Sequence, residues 1–307
     1  MSHIFGPVPS RRLGRSLGVD LVPFKTCTYD CIYCQLGRTT HRTVLRKEWF
    51  PIEEVVDELR GKLETKPDYI TLSGYGEPTL YSRVDELIDR IRSMTDIPIA
   101  VLTNGSLLWQ EDVRRQLLDA HLVIPSLDAG DSLMFQTVNR PNPSISFDLM
   151  LEGLIAFKEV YRGAYWLEVF LLAGHTAMRA EVEKIRMCVE RIRPDYVQLN
   201  TAVRPTAEDF AVQVEYHRLE ELAEMFQPRA EVIADYRNVH DKSEFCGGRD
   251  QVLGLLRRRP CTADDIAGGL GMHQNEVLKY LEELIRKGLV IPKSNRCNGR
   301  IIYCPNR

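Results

Sequence analysis

The chain has 307 residues, of which 44% are hydrophobic and 27% charged, and its formal net charge is −3. These values are typical of a soluble globular protein with one large domain, or a large domain and a small one. The sequence contains no low-complexity stretch, no internal repeat and no apolar run long enough to span a bilayer. It also lacks a charged-then-apolar leader with a cleavage site, so we expect a cytoplasmic protein with reduced thiols.

The charge is unevenly divided along the chain. Residues 249–307 hold 11 Lys/Arg and 6 Asp/Glu, whereas residues 1–248 hold 29 Lys/Arg and 37 Asp/Glu. A basic tail on an acidic body indicates two domains with different partners. We predict a large domain over residues 1–240, a hinge linker over 241–248 that contains Gly247 and Gly248, and a small domain over 249–307.

The N-terminal segment, residues 1–16, is predicted to be irregular because glycines and prolines interrupt it. The same segment contains three arginines, Arg11, Arg12 and Arg15. These arginines form either a solvated basic turn or a clamp for carboxylate or phosphate groups.

Three cysteines follow the first apolar run of the chain. Cys27, Cys31 and Cys34 have the spacing C-x-x-x-C-x-x-C. Clustered cysteines in a reducing compartment are more often metal ligands or catalytic groups than disulfides. We interpret the loop as the ligand set of a 4Fe–4S cluster with one open iron, because ferredoxin clusters take four cysteines. A zinc site with a distant fourth ligand is the alternative, although zinc sites favour paired C-x-x-C motifs and the sequence has no second pair.

From residue 17 onward, short apolar runs of strand length alternate with helical patterns. Repeated strand–helix units predict a parallel sheet with right-handed crossovers. Six units are fewer than the eight of a closed barrel, so the preferred fold is an α/β partial (β/α)6 barrel; a doubly wound sheet is the alternative. The strand candidates are residues 17–22, 69–73, 99–103, 122–126, 165–172 and 196–200, with helical faces at 55–63, 84–91 and 182–192. A further helix over 216–226 and a seventh strand over 232–234 come before the hinge.

The last 59 residues resemble a winged helix-turn-helix, a fold shared by many DNA-binding regulators. Thr262 and Asp265 form a capping-box pattern at the start of a second helix. The third helix is predicted to place Val277, Leu278, Leu281, Leu284 and Ile285 on one face. Its groove-reading positions would be His273, Gln274, Asn275, Lys279, Arg286 and Lys287, with Lys293, Arg296 and Arg300 in the wing hairpin.

Polar and glycine residues recur just past the predicted strands, where ligands of parallel α/β folds bind. Glycine lets the backbone approach a ligand, and a carboxylate such as Glu77 accepts from an ammonium group. Asp128 could accept from ribose hydroxyls. The pattern therefore indicates an amino acid joined to a nucleoside. The strand-end residues are Gly74, Gly76, Glu77, Thr103, Asn104, Ser126, Asp128, His175, Asn200 and Arg204.

These motifs resemble the radical S-adenosylmethionine (SAM) superfamily over about residues 1–240. The cysteine loop with Tyr33 before its last cysteine matches the cluster motif of that superfamily. The run Gly74-Tyr75-Gly76-Glu77 resembles its G-G-E motif, and Ser126 and Asp128 stand where members contact ribose. The N-terminal arginine run and the cysteine loop are more narrowly similar to Fe–S oxidoreductases grouped with tRNA wybutosine-synthesis enzymes, without their second cysteine cluster or flavodoxin-like domain.

The resemblance implies an oxidoreductase or transferase that uses a 4Fe–4S cluster and SAM. A one-electron donor such as flavodoxin or ferredoxin would reduce the cluster, and the reduced cluster would cleave SAM to methionine and a 5′-deoxyadenosyl radical that takes hydrogen from an unidentified substrate, for example in RNA. It implies that Tyr33, Leu199 and Asn200 line the adenine and that Thr103, Asn104 and His175 reach SAM or substrate. The candidates for catalysis are His175, Asn200 and Arg204, although His175 could instead make only local hydrogen bonds.

Three alternatives remain at this point. The protein could be an activating enzyme, or an enzyme that modifies a small molecule or a peptide, in which the winged helix is a docking module. It could also be a redox-sensing transcription regulator. Of the remaining cysteines, Cys188 is predicted to lie in the core, and the spacing of Cys246, Cys261, Cys297 and Cys304 does not support an auxiliary cluster.

Overall fold

The computed structural model describes residues 2–233, 248–258, 260–270, 272–294 and 300–306. Most of the predicted hinge, residues 241–247 with Cys246, lies outside this part of the chain. The end of the predicted seventh strand and the wing turn with Arg296 and Cys297 also lie outside it.

Alternating strands and helices form the body, as the sequence predicted. The strands are β1 (Ile4–Ser10), β2 (Gly14–Val19), β3 (Thr26–Cys27), β4 (His41–Arg42), β5 (Tyr69–Leu72), β6 (Ile99–Thr103), β7 (Leu122–Pro125), β8 (Ala164–Leu171), β9 (Tyr196–Thr201) and β10 (Glu231–Val232). The helices are α1 (Ile52–Arg60), α2 (Val84–Met94), α3 (Glu111–Gln116), α4 (Ser132–Val138), α5 (Phe147–Val160), α6 (Arg179–Ile192) and α7 (Tyr216–Ala223).

The main sheet of the described residues has the strand order β1-β2-β5-β6-β7-β8-β9-β10. Only the β1–β2 pair is antiparallel; the other pairs within this sheet are parallel. The strands therefore follow one another in chain order without a reversal. A doubly wound sheet would reverse direction at a switch point, so that alternative is wrong. All parallel strands point their carboxyl ends to one edge, which brings the predicted strand-end residues together.

The N-terminus is a β-hairpin, so the prediction of an irregular segment over residues 1–16 was wrong. Proline is tolerated in β1 because this strand forms the edge of the sheet, with a bulge between Phe5 and Val8. The hairpin turn brings Leu13 into an apolar cluster with Ala100 of β6 and Leu122 of β7. The first parallel strand, β2, consequently begins three residues earlier than predicted and ends at Val19.

The C-terminal part contains three helices, α8 (Arg249–Arg258), α9 (Ala263–Leu270) and α10 (Gln274–Arg286), and an antiparallel hairpin of β11 (Val290–Ser294) and β12 (Ile301–Pro305). The predicted capping box is confirmed: the Asp265 amide donates to Thr262 Oγ1 at 3.1 Å, and the Thr262 amide donates to Asp265 Oδ2 at 3.0 Å.

The apolar face of α10 is narrower than predicted. Val277, Leu281 and Leu284 are buried, but Leu278 is 43% exposed and Ile285 is 37% exposed. The two exposed residues follow buried ones directly, and neighbouring positions on a helix point about 100° apart, which turns them away from the core.

The C-terminal helices pack on the N-terminal hairpin. Val8 of β1 belongs to the same apolar cluster as Val252, Leu255 and Leu256 of α8, and Phe5 packs against this cluster. None of the helices in the described ranges is long and apolar enough to cross a membrane.

Replacing Leu13 by Ala should destabilise the body by about 2–5 kcal/mol, because a buried leucine that fixes the hairpin turn is removed and a cavity remains. Urea unfolding followed by circular dichroism measures the loss. Leu133→Ala is the matched control, since Leu133 is 78% exposed, and it should change the free energy of unfolding by less than about 0.5 kcal/mol. Equal effects of the two substitutions would contradict the buried position of the turn.

Candidate active site

The three motif cysteines lie around one cavity at the carboxyl edge of the sheet. Cys27 ends β3, and the Cys34 amide donates to the Cys31 carbonyl at 3.1 Å in a tight turn. Ile32 between them is fully buried and anchors the loop, since its amide donates to the Val138 carbonyl at 2.9 Å. All three thiols are free and half-buried, and they line a cavity of about 430 Å³.

Each motif sulfur accepts a hydrogen bond from a different side chain. Asn104 Nδ2 lies 3.5 Å from the Cys27 sulfur, and Lys25 Nζ lies 3.2 Å from the Cys34 sulfur. Asn139 Nδ2 lies 3.6 Å from the Cys31 sulfur. Hydrogen-bond donors of this kind stabilise thiolate ligands. They also tune the reduction potential of a cluster that the thiolates hold.

Burial opposes deprotonation of Cys27 and Cys31 in the absence of a metal. Burial, followed by the charge of Glu77, raises the pKa of Cys27 to about 12. Burial also raises the pKa of Cys31 well above its usual range. Thiolate is the ligand form, so a metal bound here would displace protons from both groups.

Within the described residues, no group of three or more His, Cys, Asp and Glu side chains is arranged to hold a metal ion. The 4Fe–4S cluster and the alternative of a zinc site both stay predictions from the sequence.

The glycine-rich loop after β5 packs against the cysteine loop. The Lys25 amide donates to the Tyr75 carbonyl at 2.8 Å, and the Glu77 amide donates to the Thr26 carbonyl at 3.2 Å. A Cβ at Gly76 would lie 1.8 Å from the Thr26 carbonyl oxygen, so only glycine allows this approach. The motif glycine is thus required for packing, whether or not a ligand touches it.

The buried Glu77 carboxylate links the segment after β5 to the end of β6. Its Oε1 accepts from the hydroxyls of Thr79 and Thr103, at 2.7 and 2.6 Å, and its Oε2 accepts from the Asn104 amide at 2.8 Å. Burial raises its pKa, and these hydrogen bonds act in the opposite direction. The carboxylate predicted to accept from a ligand ammonium is therefore already bonded to the protein, and it holds Thr103 and Asn104 at the cavity.

Asp128 lies behind Tyr33 and is not among the residues that line the cavity. It accepts from the Tyr33 hydroxyl, from Asn139 Nδ2 at 2.7 Å and from the Phe170 amide at 3.1 Å. Burial raises its pKa to about 6 against the effect of these donors. The Tyr33 ring stacks on Phe170 with centroids 4.0 Å apart. Asp128 thus fixes the aromatic wall of the cavity and the amide that donates to Cys31.

The remaining predicted residues divide into two groups. Ser126, Asn200 and Arg204 line the cavity. Leu199 is fully buried in the core, and His175 lies outside the lining, where Nδ1 is 3.3 Å from the Ala173 carbonyl. This contact within its own loop matches the alternative prediction for His175, that it makes only local hydrogen bonds.

A polar network at the cavity was largely missed from the sequence. Arg12 forms an ion pair with Glu168 of β8, and Asn200 Nδ2 donates to Glu168 Oε1 at 3.1 Å. Arg11 donates to Asn200 Oδ1 at 2.9 Å. Glu168 could have been noticed as a lone acidic residue in an apolar strand, but no sequence signal places it beside Arg12. No feature of the sequence predicted that Asn139 would donate to the Cys31 sulfur.

Comparisons with known proteins identify the family of the chain. The sequence model of the radical SAM superfamily matches residues 21–189. A UPF0026 protein of Helicobacter pylori is 32% identical over 297 residues, which cover 94% of each chain. The chain belongs to the radical SAM superfamily and, through relatives of matching length, to the UPF0026 proteins.

A second relative is much longer than this chain. A protein of Brachyspira hyodysenteriae named GTPase Obg is 39% identical over 309 aligned positions, which cover 99% of this chain and 45% of that protein. The chain therefore spans less than half the length of this relative.

Solved structures share the fold at low identity. Streptococcus suis SuiB bound to S-adenosylmethionine is 16% identical with a TM-score of 0.54, covering 71% of this chain and 50% of that one. A radical SAM methyltransferase from Sphaerobacter thermophilus is 16% identical with a TM-score of 0.55, covering 73% and 67%. Both similarities establish the fold only.

Replacing Arg12 by Gln should cost about 3–5 kcal/mol at pH 7, because it leaves the Glu168 carboxylate buried without its cation. Burial raises the Glu168 pKa, but Arg12 and Asn200 outweigh burial and the pKa lies below its ordinary value of 4.5. A lowered pKa stabilises the fold above that value, and this contribution is lost as pH falls below it. The difference between wild type and variant, measured by urea unfolding, should therefore shrink below pH 4.5.

The double variant Arg12→Gln/Glu168→Gln is the control. It removes both charges and should recover most of the lost stability. A double variant as unstable as Arg12→Gln, or a difference that grows at low pH, would contradict the ion pair.

Proposed function

We propose that the protein is a radical SAM enzyme in which Cys27, Cys31 and Cys34 hold a 4Fe–4S cluster. The main support is that these thiols, residues 74–77 and the ends of β6 to β9 line the same cavity. When bound, the reduced cluster would supply one electron for the cleavage of SAM to methionine and a 5′-deoxyadenosyl radical, which would take hydrogen from the substrate.

The residues of the chain have separate roles in this proposal. Asn104, Asn139 and Lys25 donate to the sulfurs of Cys27, Cys31 and Cys34, respectively. The backbone of residues 74–76 holds the amino acid end of SAM, since the Glu77 carboxylate is engaged with the protein. Ser126 and Asn200 are the exposed polar groups for the nucleoside, next to the wall formed by Tyr33 and Phe170. Asp128 acts on the nucleoside only through Tyr33.

The first experiment tests the cluster. After anaerobic reconstitution with iron and sulfide, the protein should absorb near 400 nm and, with dithionite and SAM, produce 5′-deoxyadenosine and methionine. Replacing Cys27, Cys31 or Cys34 by Ala should remove the cluster and lower 5′-deoxyadenosine to background, because one iron loses its only protein ligand. Mass spectrometry quantifies the products.

Cys188→Ala is the matched control. Cys188 is buried beside the Gly130 carbonyl, away from the cavity, so this variant should keep its iron and its SAM cleavage. A wild-type protein without iron after reconstitution, or a Cys31→Ala variant with full cleavage, would refute the proposed function.

We further propose that the C-terminal part is a winged helix that delivers the substrate. Its order of three helices and an antiparallel hairpin supports this fold, as does the capping box that starts α9. Nucleic acid, and RNA in particular, is one substrate class that such a domain would present. Lys279, Lys287 and Lys293 are exposed for phosphate contacts.

A protein substrate is the second candidate, and a specific observation favours it. Leu278 and Ile285, seven positions apart on α10, are exposed with Leu289 nearby in sequence. An apolar surface of this kind suits a protein contact better than a phosphate backbone. Lys287 is also paired with Glu283 at 2.6 Å, which reduces its value for phosphate binding.

Fluorescence anisotropy against tRNA decides between the two candidates. For a nucleic-acid substrate, binding should weaken steeply with salt, and Lys279→Gln should lower the logarithmic salt slope by about 0.7–0.9, the amount expected for one lost phosphate contact. Lys62→Gln in the body, another exposed lysine, should leave the slope unchanged. Absent or salt-insensitive binding would refute nucleic-acid delivery and leave the protein-docking role.

A further inference from the structure

The outer surface beside the cysteine loop carries concentrated positive charge. Residues 35–47 contain four Lys/Arg and no Asp/Glu, in a chain whose net charge is −3. Arg38, His41, Arg42 and Lys47 are exposed, and these four residues are called the basic face below.

The basic face lies next to a proposed cluster ligand. Strand β4 pairs in parallel with β3, with Arg42 opposite Cys27 and His41 opposite Thr26. The Thr43 amide donates to the Cys27 carbonyl at 3.0 Å. Paired strands are about 4.8 Å apart, so the exposed backbone of Arg42 is one strand away from the backbone of Cys27.

The cations of this surface are held in place and exceed the acids near them. Glu208 pairs with both Arg38, at 3.0 Å, and Arg140, at 2.6 Å, and Asp30 lies 3.9 Å from Arg140. Arg42 donates to the Arg140 carbonyl at 3.2 Å, so its contact there is with a neutral group. Lys47 Nζ lies 4.1 Å above the Trp49 ring. Arg42 and Lys47 are thus exposed cations whose described contacts are with neutral groups, and Arg42 lies opposite Cys27.

The basic face and the cavity are separate surfaces. The shallow depression lined by Arg42, Leu45 and Arg46 shares no lining residue with the cavity that contains the cysteines. Leu45 in this depression is 58% exposed, which provides an apolar contact among the charges. A partner on the basic face would leave the cavity open to SAM and substrate.

We propose that the basic face docks the acidic surface of a one-electron donor protein; this inference rests on the proposed function. In the step concerned, the donor is oxidised by one electron and the cluster is reduced by one, with no transfer of atoms. Electron-transfer encounters use small, transient interfaces, in which complementary charge raises the association rate. Approach through β4 would bring the donor next to the backbone of Cys27 without crossing the cavity.

The test uses the reconstituted holoprotein, flavodoxin as the probe, and the double variant Arg42→Glu/Lys47→Glu. Two readouts are measured at low salt: the Kd for oxidised flavodoxin from calorimetry, and the rate at which flavodoxin hydroquinone bleaches the cluster absorbance. We expect the double variant to weaken binding and slow bleaching by about tenfold or more, and added salt to slow the wild type in the same direction. Bleaching by dithionite, which needs no docking, should be unchanged.

Arg60→Glu/Lys62→Glu is the matched control, because the Arg60 side chain at the end of α1 is 61% exposed, Lys62 is also exposed, and two charges are again reversed. Unaltered flavodoxin binding in the Arg42→Glu/Lys47→Glu variant, or an equal loss in the control variant, would overturn the docking proposal. So would an Arg42→Glu/Lys47→Glu variant that loses tRNA binding while it keeps flavodoxin binding. A wild-type protein that forms no cluster, or whose cluster dithionite cannot reduce, instead refutes the proposed function itself.

Discussion

The site depends on the close contact between the backbone of Gly76 and that of Thr26. This contact joins the cysteine loop to the strand end of β5, about fifty residues later in the chain. Any side chain at position 76 would meet the Thr26 carbonyl at 1.8 Å and push the two loops apart. Because Cys27 follows Thr26 directly, such a shift would move a motif sulfur relative to the other two. Glycine is therefore required at position 76 by the packing of the two loops, independently of any contact with a ligand.

Two buried carboxylates extend this arrangement around the cavity. Glu77 ties the ends of β5 and β6 through Thr103 and Asn104, and Asp128 ties β7 to the cysteine loop through Tyr33. Each of them also fixes an amide side chain that donates to a cysteine sulfur: Asn104 through its backbone and Asn139 through its side chain. A buried carboxylate is costly unless it is fully hydrogen-bonded, so both groups favour one arrangement of the loops. Hydrogen-bond donors in fixed positions, such as the Asn104 and Asn139 amides, would give a bound cluster a defined reduction potential.

The sequence was sufficient for the parts of the fold that repeat with a regular period. The apolar runs at β5 to β9 and the faces of α1, α2 and α6 were predicted close to their observed bounds, because burial on both sides of a parallel sheet leaves a simple pattern. The hairpin β1–β2 was missed because prolines mask an edge strand. Leu278 and Ile285 were misplaced because their apolar character alone does not tell a core position from an exposed one on the same helix.

The site was predictable to the extent that a residue follows a strand or stands in a motif. The three cysteines, Gly76 and Asn104 were found by that logic. The sequence does not show which strand-end side chains line the cavity and which instead form hydrogen bonds to the residues that line it. Asp128 and Glu77 have the chemistry of ligand contacts, but their oxygens are engaged within the protein. Long-range partners such as Arg12 and Glu168, 156 residues apart, become neighbours only through the complete sheet.

The N-terminal hairpin connects the two parts of the molecule. Along β1, Val8 packs into the apolar cluster of α8, and a few residues later Arg11 and Arg12 reach Asn200 and Glu168 at the cavity. The same strand thus takes part in an apolar contact at one end and leads to a partly buried ion pair at the other, and both constrain its position. Leu255 of α8 also lines the cavity, so the C-terminal helices contribute directly to its wall.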